Sequence, residues 1–198
     1  MAKRTSQKYD AILEASIRVI AKYGYHRAQV SKIAKEACVA DGTIYLYFEN
    51  KEDLLISIFR EKIGSFIRLV KRKIATAKDA KEQLFHIIAL HLGYLETNPL
   101  LAVVVQMEIR QSDPYVRKEI GELMQAYLNL IEHVMEQGKE SGVFRSDLDV
   151  RLARKMIFGT LDDLVTSWVS HQQKYSLQAL AKPVYQMFVN GITAKKGD

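Results

Sequence analysis

Apolar positions repeat at intervals of three and four along almost the whole chain, and no segment alternates with the two-residue period of a half-buried strand. The pattern predicts an all-α protein of about nine helices. A first helix runs from about Gln7 to Tyr23 and carries Ile12, Ala15, Ile17, Val19 and Ile20; Gly24 follows as its stop. Two short helices come next, one that Ser31 can cap and that carries Ile33, Ala34 and Ala37, and one that Asp41 can cap and that carries Ile44 to Phe48. Helices this short are marginal alone and must be held by packing on the first; Ile44, Leu46 and Phe48 are assigned to that packing. Asn50 then caps a long fourth helix, with Glu52 and Asp53 at the positive end of its dipole. Further helices are expected at about 78–95, 99–111, 114–140, 148–171 and 176–194, broken at Asn98-Pro99, Asp113-Pro114, Gly142 with Asp147, and Gln172 to Ser176.

Three helices in about fifty residues are the minimum for a helix-turn-helix module. The expected division is therefore a DNA-binding domain over 1–50, joined by a long helix over 51–75 to a ligand-binding and dimerisation domain that fills 51–198. Charge divides in the same way. Residues 1–75 hold 15 Lys/Arg against 8 Asp/Glu, whereas 76–198 hold 14 against 15. A basic module joined to a near-neutral one expects a polyanion on one part, either nucleic acid or a membrane surface, and something else on the other. The N-terminal MAKRTSQKYD lacks the apolar core of a signal peptide, and no stretch approaches the ~18 uncharged apolar residues of a membrane span, so a cytoplasmic protein with no membrane partner is expected. The single cysteine, Cys38, excludes an intrachain disulfide and the paired-cysteine metal spacings. No metal or cofactor is expected.

Phosphate contacts need hydroxyls, cations and the main-chain N–H groups at helix starts, while base edges are read by the first residues of a helix in the major groove. Ser31, Thr43 and Lys51 stand at the expected starts of the second, third and fourth helices, so that three positive helix ends can face one backbone. Tyr45 and Tyr47 add phenolic donors, with packing as core aromatics their alternative. Gly42 allows close main-chain approach, and Ala40, Asp41 and Thr43 are candidates for base readout. Arg27 and Lys32 are further phosphate-contact candidates, or else solvated surface. The segment VSKIAKEACVADGTIYLYFENKEDLL resembles the DNA-binding signature of the TetR family through Ser31, Ile33, Ala34, Gly42, Thr43, Tyr45, Tyr47, Phe48, Lys51, Glu52 and Leu54. That resemblance, specific over about residues 8–56, implies a regulator of double-stranded DNA. It also implies a homodimer through the helices near 148–171 and 176–194, on an inverted-repeat operator whose half-sites lie roughly 34–36 Å apart. One departure stands out: many members have Gly-Val-Ser at the turn where this chain has Cys38-Val39-Ala40, which poses the question of positive φ at a non-glycine residue.

Beyond the motif, His91, Leu101, Val104, Met107, Tyr127, Leu130, Phe158 and Trp168 are candidates to line an apolar ligand cavity, with an ordinary core as the alternative. The segment from Met107 to Leu164 is similar to the TetR-type fatty-acid-degradation repressors. That likeness implies a long-chain acyl-CoA inducer, whose phosphates would call for cations such as Arg110, Arg117, Lys118, Arg151 or Lys155. HExxH, GxSxG, the phosphate-cradling GxxxxGK[ST] and the Glu-x-x-His pairs of a di-iron bundle are all missing, so an enzyme is not expected. Two other readings stay open. One is a repressor that answers cationic drugs through Glu108, Asp162 or Asp163; the other is a helical adaptor that kept the scaffold without binding DNA.

Overall fold

The computed structural model describes residues 7–193. Its elements are α1 (Gln7–Tyr23), α2 (Val30–Glu36), α3 (Asp41–Ile44), α4 (Lys51–Ile74), α5 (Ala80–Thr97), α6 (Pro99–Glu108), α7 (Pro114–Glu140), α8 (Val150–Ser170) and α9 (Ala181–Ile192), with a 3-10 turn at Gln178–Leu180 before α9. Among the described residues the one extended pairing is an isolated antiparallel bridge between Phe144 and Thr193. The chain forms two compact units, one of residues 7–64 with Leu100–Leu123, the other of Ser65–Pro99 with residues 124–193. The long helices α4 and α7 each contribute to both.

In the first unit α1 buries one stripe, Tyr9, Ile12, Leu13, Ile17 and Ile20, and α2 lies against it through Ile33 and Ala34. Tyr9 stacks on Phe48 at 5.2 Å between ring centroids. The expected cap at Ser31 is corrected: the residue at the cap of α2 is Gln29, extended at φ −74 and ψ 143, and Ser31 already lies inside the helix, where it cannot cap. Asp41 is likewise the first residue of α3, behind Ala40. The third helix is a single turn that stops at Ile44; past it the Phe48 N–H still donates to Ile44 O at 3.0 Å, and of the run Ile44 to Phe48 only Ile44 and Phe48 are buried. Leu46, expected in the core, is 61% exposed. So short a helix sums few peptide dipoles, which weakens the positive end expected at Thr43. Asn50 caps α4 as expected: its Oδ1 accepts from the Asp53 N–H at 2.7 Å, and the Asp53 carboxylate accepts from the Glu49 N–H at 3.2 Å.

The turn between α2 and α3 answers the question posed by Cys38. Its φ is +54, with the Cys38 N–H donating to Lys35 O at 3.2 Å and the Val39 N–H to Ala34 O at 3.0 Å. These are the paired bonds of a left-handed helix ending that glycine ordinarily fills.

In the second unit α5 lies against α8 and α9. Ile87, Ile88 and Leu92 of α5, Ile131 and Val134 of α7, and Ile157, Leu161 and Val165 of α8 are buried. Asp79 and Asp149 cap α5 and α8 by accepting from the N–H groups of Glu82 and Leu152. Gly138 admits the Phe144 ring, and the Phe144 N–H donates to Gly138 O at 2.8 Å. The last helix begins later than the sequence predicts: Ser176 Oγ accepts from the Ala179 N–H, the 3-10 turn follows, and Pro183 sits in the first turn of α9, where no N–H is required of it.

Candidate DNA-reading face and ligand chamber

The ten residues expected at DNA all belong to the first unit, and none is buried. Ser31, Ala40, Asp41 and Gly42 are exposed, nothing beyond the local backbone lies within 4 Å of where a Cβ on Gly42 would stand, and Thr43 is half-buried. Tyr45 is 57% exposed and available to solvent. Tyr47 keeps part of the packing role: its ring lies 6.3 Å from that of Tyr9 and 6.5 Å from that of Phe48. Arg27 donates through Nε to Tyr23 O at 3.1 Å, and the Lys32 ammonium sits 4.5 Å from the centre of the Tyr23 ring. Both cations are thereby held near the end of α1.

Lys51 belongs to a junction that its sequence position does not disclose. Its ammonium donates to His26 O at 3.2 Å and lies 4.4 Å from the centre of the Tyr25 ring; burial lowers its pKa, opposed by the carboxylates of Glu52 and Glu108. Tyr25 is buried and is used twice. Its phenol donates to Glu52 Oε1 at 3.1 Å, and its main-chain N–H donates to Glu108 Oε1, also at 3.1 Å. Burial raises the phenol's pKa, and the charge of Glu52 and the hydrogen bond to it raise it further. Glu108, 5% exposed at the end of α6, also accepts from Gln111 Nε2. The α1–α2 connector, the start of α4 and the end of α6 therefore meet at one residue. Beside it Tyr23, His26, Arg27, Met107 and Arg110 line an open cleft of about 370 Å3.

The ligand-chamber candidates divide between the units. In the second, His91, Tyr127 and Phe158 come together with Phe66: His91 Nδ1 lies 2.9 Å from the Tyr127 hydroxyl, and the Phe66 ring is 5.3 Å from Tyr127 and 6.1 Å from His91. Phe158 is 6.3 Å from Tyr127 and 6.5 Å from His91. Burial pushes the imidazole down to about 4, with Asp162 pulling the other way, so the ring is neutral at pH 7. Burial likewise raises the Tyr127 phenol. Leu130 is half-buried, and Trp168 is buried with its indole N–H donating to Tyr175 O at 2.7 Å. In the first unit Leu101 and Val104 are buried, while Met107 is 51% exposed, against Gly24, and Arg110 is exposed. Phe66 and Tyr25 carry no role in the sequence reading, and Glu108 enters it only as an acid for a cationic ligand, not as a partner of Tyr25. Among the described residues no cluster of three metal-ligating side chains occurs, and no single helix is long and apolar enough to cross a membrane.

Residues 12–58 match the profile of the bacterial regulatory proteins of the tetR family, and residues 59–191 match the YsiA-like protein, C-terminal region. The chain is 49% identical over 193 residues to the fatty acid metabolism regulator protein of Bacillus subtilis (strain 168), covering 98% of this chain and all of that one. Its fold is similar to that of the transcriptional regulator FadR from Bacillus subtilis in complex with stearoyl-CoA, with a TM-score of 0.89 and 50% identity over 93% of this chain and 99% of that one. The fatty acid degradation regulator FadR from Bacillus halodurans gives a TM-score of 0.88 and 51% identity over 92% and 98%. An exposed helix-turn-helix followed by a matching carboxy-terminal region across nearly the whole length places the chain in the TetR family of bacterial transcriptional regulators.

Proposed function

We propose that the protein is a dimeric repressor of fatty-acid degradation genes, released from an inverted-repeat operator by long-chain acyl-CoA. The observation that carries this reading is the half-identical, near-full-length likeness to a FadR seen with stearoyl-CoA. In this chain the acyl chain is assigned to the aromatic group of His91, Tyr127 and Phe158, with Leu130 and Trp168 as further lining candidates. A neutral imidazole paired with a phenol suits an apolar guest better than a charged one would. Against a cationic-drug reading stands Glu108, whose two oxygens are already engaged by the Tyr25 N–H and Gln111.

DNA contact is assigned to Ser31, Ala40, Asp41, Gly42, Thr43, Tyr45, Tyr47 and Lys51, with Arg27 and Lys32 at the margin. The homodimer is supported by an apolar stripe that a lone chain leaves in water. Leu152 and Met156 of α8 and Met187 of α9 are 54%, 55% and 79% exposed around a groove of about 360 Å3, which Ile157 and Phe188 also line. The protein acts in the cytoplasm, where DNA and acyl-CoA thioesters meet. The α4 helix, one unbroken run of 24 residues, is the route assigned to the ligand response.

The test is a fluorescence-anisotropy titration of the protein against its own promoter DNA at two salt concentrations, with and without stearoyl-CoA. Salt-sensitive binding that stearoyl-CoA weakens 5- to 150-fold, the range of an ordinary allosteric coupling, is expected. Binding indifferent to stearoyl-CoA would remove the fatty-acid assignment. Absence of salt-sensitive binding would leave the adaptor reading.

A further inference from the structure

We infer that Leu46 reads the methyl groups of thymines in the operator's major groove. The inference rests on the DNA-reading assignment above and adds to it a residue that the sequence places in the core. Past Ile44 the chain keeps winding through bonds from the Leu46 N–H to Thr43 O at 3.2 Å and from the Tyr47 N–H to Ile44 O at 3.0 Å. Winding of this kind sets residue i+3 over residue i. Leu46 therefore stands one turn beyond Thr43, on the side away from buried Ile44 and Phe48. Beyond the local backbone nothing lies within 4 Å of a Cβ built on Gly42, four residues before Leu46, and Tyr45 and Leu46 are 57% and 61% exposed.

An apolar side chain so placed, within the segment assigned to phosphates and bases, offers neither donor nor acceptor. It cannot answer the N7, O6, N6 or N4 groups that mark guanine, adenine and cytosine. The one base that presents an apolar group in the major groove is thymine, through its C5 methyl. Continuity with the reading face selects operator DNA as the occupant over a second protein.

The experiment begins with an operator duplex that the wild-type protein selects from randomised DNA. Each thymine of one half-site is then replaced singly by uracil, which keeps its pairing and loses only the methyl. Anisotropy titrations with wild type should show one or two positions where uracil weakens binding about fourfold, the worth of one buried carbon. Leu46→Ala, expected to melt like wild type because the side chain is exposed, should bind less tightly and show no further loss at those same positions. Leu46→Met, which keeps an apolar tip, should retain the sensitivity. Equal uracil losses in wild type and Leu46→Ala, or a flat scan in wild type, would overturn the inference while leaving DNA binding intact. Failure of the wild type to select any sequence would overturn the DNA-reading assignment, and this inference with it.

Discussion

Cys38 shows what a single departure from a motif costs. At φ +54 a side chain crowds the neighbouring carbonyl, by roughly 1–2 kcal/mol relative to a residue that tolerates the left-handed region, and glycine's extra freedom in the unfolded chain returns part of that. Cys38→Gly should therefore stabilise the protein by about 0.5–1 kcal/mol, read as a rise of a few degrees in Tm. Cys38→Ala, which keeps the strain, should not. An unchanged or lower melting point for the glycine variant would mean that the surrounding turn compensates the strain. The sequence raises this question because glycine and non-glycine differ so sharply in backbone preference. It could not do the same for the caps. Ser31 and Asp41 have the right chemistry, but capping depends on which residue takes the extended conformation, and Gln29 and Ala40 take it without a side-chain bond.

At the scale of elements, the long periodic helices were the legible ones. The bounds expected for α1 and α7 agree with the structure, and α4 begins where Asn50 says it should. The apolar run Ile44 to Phe48 misled, since periodicity cannot separate a core residue from one held out to meet a ligand. Close helix approach left no pattern either. At Gly138 a Cβ would overlap the Phe144 ring and press on Ala80 at 2.9 Å, although the sequence shows only a glycine two residues before the end of α7. Gly138→Ala sets about 1 kcal/mol of helix propensity against an overpacking cost of typically 1–3 kcal/mol. Here the obstructing group is a buried ring, so overpacking wins. Urea unfolding should show a net loss on the order of 1–2 kcal/mol, partly recovered by adding Phe144→Leu. A stabilised Gly138→Ala protein would mean that Phe144 moves aside at little cost.

For the whole molecule, the proposed assembly depends on surface that a lone chain has no reason to display. Met187, the most exposed of the large apolar residues described, should be a centre of the dimer contact with Met156. Met187→Glu should raise the dimer dissociation constant at least ~30-fold, the effect of a central contact worth about 2 kcal/mol. Sedimentation velocity over a range of concentrations would measure it, and an unaltered dimer would move the interface elsewhere. The family was legible in the helix-turn-helix. The bond from the Tyr25 N–H to Glu108 was not: its donor is main chain, its acceptor lies 83 residues on, and no periodicity links them.

That bond bears on how the reading head can be moved between proteins. A graft that moved residues 12–58, the span of the tetR-family match, into a host would carry Tyr25 and leave its own acceptor, Glu108, behind. Because the donor is an amide, every residue but proline at position 25 offers it, so compatibility of head and host turns on whether the host supplies a carboxylate where Glu108 stands. A transferable cassette would therefore be discontinuous, taking the end of α6 along with the helix-turn-helix.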